Sequence, residues 1–338
     1  MRAWLLVAGL CTALCASSFA AQDTRGWKKG VGWGWIWGPQ DEVGALNAMT
    51  NETRLRALAS VRKGKVYDLG VAFSRESLRW PGHNPTEVIT FRSPEGEKRQ
   101  LDFDFVQPEH NPTGAAWHST ALFISDNVAT QIDGLGHIAI GQDNHWYNGF
   151  KEADWGGDFG VRKCDAAGIP PIIARGVMLD IAGLKGVDAL PSQYEITPAD
   201  IDAARKRQKV ELRPGDVLLI RTGTLRYWGE VGAEHEKLNE HGSAGITIET
   251  AKHLVEDFGA MLIGSDTVGL EVFLPLENTQ RTFPVHAYLL IEQGVHIGEL
   301  HNLEELARDG VSEFAYVAAT NKIKGTTAGF TMRPLALR

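Results

Sequence analysis

Two runs in the second half of the chain, Val217-Leu-Leu-Ile220 and Ala260-Met-Leu-Ile-Gly264, carry no polar residue and are of strand rather than helix length. An unbroken apolar run of that length suits a strand buried on both faces. Helix signals stand between and beside these runs. Thr197-Pro198-Ala-Asp200 supplies an N-cap, a proline at the first helical position and an acid at the third, opening a helix to about Gln208. Thr247-Ile-Glu-Thr250 opens a second helix, through about Phe258 and stopped by Gly259. Strand and helix signals thus alternate without repeats, low-complexity tracts or an obvious linker, which predicts a single α/β domain.

The remaining elements follow from the same rules. Thr50 to Lys63 reads as a helix with Thr50 as N-cap and Glu52 in its first turn, followed by a strand over Val66 to Phe73. Residues 79–119 read as long loops interrupted by a hairpin. Ser119 to Asn127, Ala129 to Ile132, Ile173 to Ile181, Ala287 to Ile291 and Val295 to Ile297 read as strands.

Residues 1–20 are expected to stand outside the domain. Arg2 precedes the uncharged apolar stretch Trp4 to Ala16, and Ser18-Phe-Ala20 places small residues where a signal peptidase cuts. The stretch is too short to span a bilayer, and Leu14 before Cys15 does not suit lipid attachment, so no membrane anchor is expected. The expectation is a cleaved leader, a domain over 21–338, and a periplasmic or secreted protein. Cys11 and Cys15 would leave with the leader, so Cys164 alone remains and no internal disulfide is available. Without Arg2 the formal charge is −9 (33 basic residues against 42 acidic) rather than −8. The basic residues are scattered rather than striped, which argues against nucleic acid as a partner.

The densest chemistry lies in Asn127-Val-Ala-Thr-Gln131-Ile-Asp133-Gly-Leu-Gly-His137. At period two, Gln131 and Asp133 share a face of an extended segment, with His137 one short turn beyond. An oxygen ligand, an acid and a base this close together are what a metal-assisted hydrolase needs. The serine-nucleophile elbow, HExxH, P-loop and dinucleotide-binding patterns are all missing from the sequence.

Five ordered blocks carry a family resemblance: Trp37–Asn47, Thr130–His137, Arg175–Ala182, Pro214–Gly223 and Gly298–Leu306. Together they resemble the cyclase family that includes the metal-dependent kynurenine formamidases and isatin hydrolase, in its branch with Thr-Gln-x-Asp-Gly-x-x-His. That resemblance implies a central barrel-like mixed β-sheet flanked by helices, and a homodimer or homotetramer. It aligns Asp133 with a metal ligand and His137 with the general base. Asn127 and Gln131 stand where other members carry two histidine ligands. Amide oxygens are weaker, harder ligands than imidazole, which tilts the site away from Zn2+. By its block His286 matches a histidine in the second half of the family's chain, and Glu299 its metal-binding glutamate, with Gly298 the alternative if the alignment slips by one. The implied metal set is therefore Gln131, Asp133, His286 and Glu299, holding a divalent ion such as Mn2+ or Zn2+.

Candidates for a substrate pocket are Trp37, His118, Asn127, His145 and Trp146; His83 and His110 are further loop histidines, and Trp33 and Trp35 flank Trp37. The expected partner is a small molecule: an amide, cyclic amide or lactone cleaved by activated water with His137 as base. The alternatives are a metal-free acid–base enzyme (a lyase or cyclase) using Asp133 and His137, and a non-catalytic periplasmic binder.

Overall fold

The computed structural model describes residues 36–338 apart from 79, 81, 84, 85, 229–233, 235, 236, 239–242 and 275–282. The expected leader, Trp33 and Trp35 lie outside the described residues. In chain order the strands are β1 (Val66–Asp68), β2 (Thr86–Arg92), β3 (Ser119–Ile124), β4 (Gln131–Asp133), β5 (Ile172–Asp180) and β6 (Glu195–Ile196). They continue as β7 (Val217–Arg221), β8 (Gly245–Ile246), β9 (Leu262–Ser265), β10 (His296–Glu299), β11 (Glu313–Ala318), β12 (Ala328–Gly329) and β13 (Leu335–Leu337).

Nine strands form one mixed sheet in the order β1-β13-β11-β5-β7-β9-β10-β4-β12, curled into a half-barrel and flanked by helices. Its centre, β5-β7-β9-β10, is parallel, and the strands on either side are antiparallel to their neighbours. Every residue of β7 and β9 is buried, as an apolar run between two covering layers requires. The helix Pro198–Gln208 is closed at its start by a reciprocal capping box between Thr197 and Asp200. The helix opened by Thr247 runs over Ile248–Lys252 and continues as a π-helical turn, His253–Asp257, before Gly259.

The structure corrects several expectations. Ala287 to Ile291 is not a strand: Pro284–His286 begins a helix that continues as a π-helical segment, Ala287–Gln293. Those five residues are all buried, so the polar positions that would reveal a helical period are missing. The turn closes at Gly294, against which Gly44 packs so tightly that a Cβ on Gly44 would lie 2.1 Å from the Gly294 carbonyl oxygen. That contact explains Gly44 in the Trp37–Asn47 block.

The strand expected over Val66 to Phe73 stops at Asp68, because the next backbone groups bond elsewhere. The Gly70 N–H donates to Asp68 Oδ1 (3.0 Å), and the Val71 N–H to Thr130 Oγ1 (3.0 Å). The first helix is shorter than expected, Asn51–Ala59, although Thr50 caps it. The strand expected to reach Asn127 ends at Ile124, and the next one begins at Gln131 after Ala129 turns at φ 54°. β11, β12 and β13, which no sequence signal marked, complete the sheet.

Candidate metal centre

The antiparallel pairing of β4 with β10 sets Glu299 opposite Gln131 and Ile297 opposite Asp133. Directly paired residues share a face, so Gln131, Asp133 and Glu299 project together. Gly298 points to the other side, where a Cβ would lie 2.8 Å from His301 Cε1. The acid on this face is therefore Glu299. His286 arrives from the first turn of the helix behind Pro284. Its Nε2 lies 3.7 Å from Asp133 Oδ2 and 3.8 Å from Glu299 Oε1. One ligand atom from each of these three buried residues falls within 4.8 Å of the other two.

This donor set fits a divalent cation. Asp133 Oδ2 is buried and makes no hydrogen bond, and an unpartnered buried carboxylate oxygen is costly unless a cation faces it. Two carboxylates and one imidazole are ordinary ligands for a hard or borderline metal. Burial pushes the Asp133 carboxyl up to about 6, opposed by the positive charge His137 can carry and reinforced by Glu299.

Gln131 spans the cluster from one side. Its Nε2 donates to Asn127 Oδ1 (3.0 Å), Glu299 Oε2 (3.0 Å) and Asp133 Oδ1 (3.3 Å). In this orientation the amide nitrogen, not its oxygen, faces the acids; acting as a ligand would require the amide to turn over. Asn127 belongs to the same network and is buried.

Glu271, which sequence reasoning did not single out, fixes His286. Its Oε1 accepts from His286 Nδ1, and its Oε2 accepts the Val285 N–H at 3.1 Å. With Nδ1–H committed to Glu271, Nε2 is the nitrogen left facing Asp133 and Glu299. Burial disfavours a charged ring, but Glu271 and Glu299 outweigh it and raise the His286 pKa to about 10. A divalent ion binding here would displace that proton.

His137 follows β4 in a turn closed by its N–H on the Gly134 carbonyl (3.0 Å). Its ring centroid is 6.4 Å from that of His286, and its buried Nδ1 makes no hydrogen bond. His83 is nearby: it hydrogen-bonds the Asn127 backbone, and burial together with His137 lowers its pKa. An aromatic file also leads away from His286. Phe283 meets the His286 ring edge-on (5.6 Å), Phe273 meets Phe283 (5.9 Å), and Trp80 stacks on Phe273 (5.4 Å). Trp80 and Phe283 are both partly open to solvent.

The structure brings Asn127, Gln131, Asp133, His137, His286 and Glu299 together. Other pocket candidates sit elsewhere. His118 is exposed just before the end of β3 that is distal to Asn127. His145 is held in a turn by Asp143 (2.7 Å) and by backbone bridges to Ile140 and Lys151. Trp146 is buried in the main core, and Trp37 is half-buried in the turn before Asp41. Cys164 is buried, which drives its thiol pKa upward and leaves it without thiolate character.

Comparisons with known proteins bear on the family and the fold. A family model described as "Putative cyclase" matches residues 67–272. A crystal structure described as a novel cyclase is 29% identical, with a TM-score of 0.77 over 91% of this chain and 98% of that one. Isatin hydrolase A from Labrenzia aggregata shares the fold at 20% identity and a TM-score of 0.56, covering 83% of this chain and 96% of its own. The Ralstonia solanacearum enzyme does so at 19% and 0.57, covering 85% and 97%. A comparison with curated proteins finds no match. With a family model covering more than half of its length, the chain belongs to the cyclase family.

Proposed function

We propose that the protein is a metal-dependent hydrolase of a small amide, cyclic amide or lactone with an aromatic body. The observation that carries this reading is the convergence of Asp133, His286 and Glu299 around the unpartnered Asp133 Oδ2. When bound, a divalent ion would supply Lewis acidity at the scissile carbonyl and acidify a water molecule. Of Mn2+ and Zn2+, a set with two carboxylates and one imidazole favours Mn2+.

The chain's own residues then divide the work. His137, with its Nδ1 unengaged, takes the proton from the attacking water and returns it to the leaving nitrogen or oxygen. Gln131 holds the two carboxylates at a common spacing through its amide nitrogen. The file Phe283, Phe273 and Trp80 supplies an apolar wall beside the reacting carbonyl, suited to a flat hydrophobic substrate.

The test is metal analysis by plasma mass spectrometry on protein purified without chelator or affinity metal, beside Asp133→Ala. Near-stoichiometric metal that disappears in the variant supports the reading and directs a screen toward aromatic amides and lactones. No metal, even after loading with Mn2+, Zn2+ and Mg2+, overturns it in favour of an acid–base enzyme or a binder. We extend the proposal to location: the leader directs the protein to the periplasm or beyond, and N-terminal sequencing of the exported protein should begin at Ala21.

A further inference from the structure

A cavity of about 290 Å3 lies between the first helix, β5, β11 and the turn that leads into β7. It sits beside the amino-terminal half of β5 and just ahead of β7, whereas Glu299 ends β10 in the same parallel set. The cavity and the metal centre therefore lie at opposite ends of the parallel strands. The inner part of the cavity is a charge cluster that does not close on itself. Arg175 donates to Asp216 Oδ2 through Nη1 (2.5 Å) and to Glu313 Oε2 through Nε (3.1 Å) and Nη2 (2.7 Å). The Arg213 N–H also donates to Asp216 Oδ2 (2.8 Å). All of these bonds fall on one oxygen of each carboxylate. Among the described residues, Asp216 Oδ1 and Glu313 Oε1 accept no hydrogen bond. Asp216 is only 3% exposed, and both acids line the cavity. Burial pushes the Asp216 carboxyl up to about 6 against the pull of Arg175. A buried carboxylate oxygen without a donor is costly, and a cationic group in the cavity would supply one. The rim carries the opposite charge. Arg56 and Arg213 stand exposed there, and the Arg213 guanidinium meets Glu211 only at 3.6 Å. A guanidinium fork of this kind pairs with a carboxylate.

We propose that this cavity binds a small zwitterion of the amino-acid type, its ammonium on Asp216 Oδ1 and Glu313 Oε1 and its carboxylate on Arg56 and Arg213. A ligand with only an ammonium meets two exposed guanidinium groups at the rim. One with only an acid meets two unengaged carboxylate oxygens further in. A molecule carrying both charges satisfies both, and the mismatch rejects the others. The remaining wall is apolar, formed by Ala57, Ala174 and Pro214, and suits one compact hydrophobic group. The volume sits at the small end of ligand pockets, too small for a nucleotide or a folded peptide. Because the metal centre lies at the other end of the strands, the zwitterion is not the substrate of that centre.

The experiment is isothermal titration of the whole protein near neutral pH with L-leucine, L-phenylalanine and 4-aminobutyrate. Phenethylamine and 3-phenylpropionate serve as single-charge probes. At least one zwitterion should bind at one site per chain, and both single-charge probes at least about tenfold more weakly, the weight of one charge-assisted hydrogen bond. Arg56→Gln/Arg213→Gln, which changes two exposed side chains, should weaken the zwitterion by about tenfold or more, and Asp216→Asn should do the same. Should Asp216→Asn fail to fold, the double arginine variant decides. Asp133→Ala should bind the zwitterion as the wild type does. The proposal is overturned if no zwitterion binds with a Kd below about 10 mM, if a single-charge probe binds equally well, or if the arginine variant keeps full affinity. Loss of binding in Asp133→Ala overturns it too, by placing the ligand at the metal centre. None of these readouts uses activity, so the hydrolase reading and this site fail separately.

Discussion

Glu271 shows how much of the site depends on a residue that is not a ligand. It is buried, and its two oxygens are spent on His286 Nδ1 and the Val285 N–H. Glu271→Gln keeps the shape but removes the charge, and its amide can turn an N–H toward Nδ1. The expected result is a 10–100-fold loss of metal affinity, measured by titrating Mn2+ into the variant. The thermal midpoint of the metal-free protein should move little by comparison, and Glu271→Asp should recover part of the affinity. A variant with wild-type affinity would remove Glu271 from this role. His137→Ala is a separate case: turnover should fall about 10²–10⁴-fold while metal content stays at the wild-type level, and unchanged turnover would dismiss His137 as the base. Gln131, Asp133 and His137 were legible in the sequence because a strand's two-residue period and one turn bring them together locally. Glu271 was not, since it is a lone acid between Leu270 and Val272 whose partner arrives fifteen residues later by tertiary packing. Phe273 and Phe283 were missed for the same reason.

Elements with their own punctuation were read from sequence, and elements defined only by their neighbours were not. Thr197-Pro198-Ala-Asp200 marks the start of its helix because the cap is local: the Asp200 carboxylate accepts the Thr197 N–H (3.0 Å), and it pairs besides with Lys185 (2.5 Å) from the preceding helix. Asp200→Ala is expected to cost about 1 kcal/mol at neutral pH, read from urea unfolding. Burial works to raise the Asp200 pKa, but Lys185 and Thr197 more than offset it and hold the carboxyl below its ordinary value of 3.8. A carboxylate lowered on folding stabilises above its unfolded pKa and loses that contribution as pH falls through the folded one. The gap between wild type and variant should therefore be full at pH 7 and shrink below 3.8; a gap that persists at low pH would assign the cost to packing. By contrast, Ala287 to Ile291 was misread because burial on all sides erases the period that separates helix from strand. β12 and β13, two and three residues long, are too short to show any period and exist only through their partners β4, β11 and β1.

At the scale of the molecule, the sheet order places β4 and β10 side by side although 162 residues separate Asp133 from His296 in sequence. The family resemblance implied a barrel-like mixed sheet, but the cross-strand register that sets Glu299 beside Gln131 follows only from the assembled half-barrel. Because the three candidate ligands come from β4, β10 and the helix after Phe283, a cation bound to them would tie these elements together in the folded state alone. Binding confined to the native state stabilises by mass action, about 2.7 kcal/mol when free metal is one hundred times its dissociation constant. For a chain of this size that corresponds to a rise in thermal midpoint of about 4 °C. Melting the apo protein with and without Mn2+ at one hundred times its dissociation constant should show that rise, and EDTA should reverse it. Asp133→Ala, which removes a ligand from β4, should melt at the same temperature in both conditions. An equal rise in that variant would place the stabilising ion elsewhere on the surface, and no rise in the wild type with Mn2+, Zn2+ or Mg2+ would mean that the half-barrel closes without a metal.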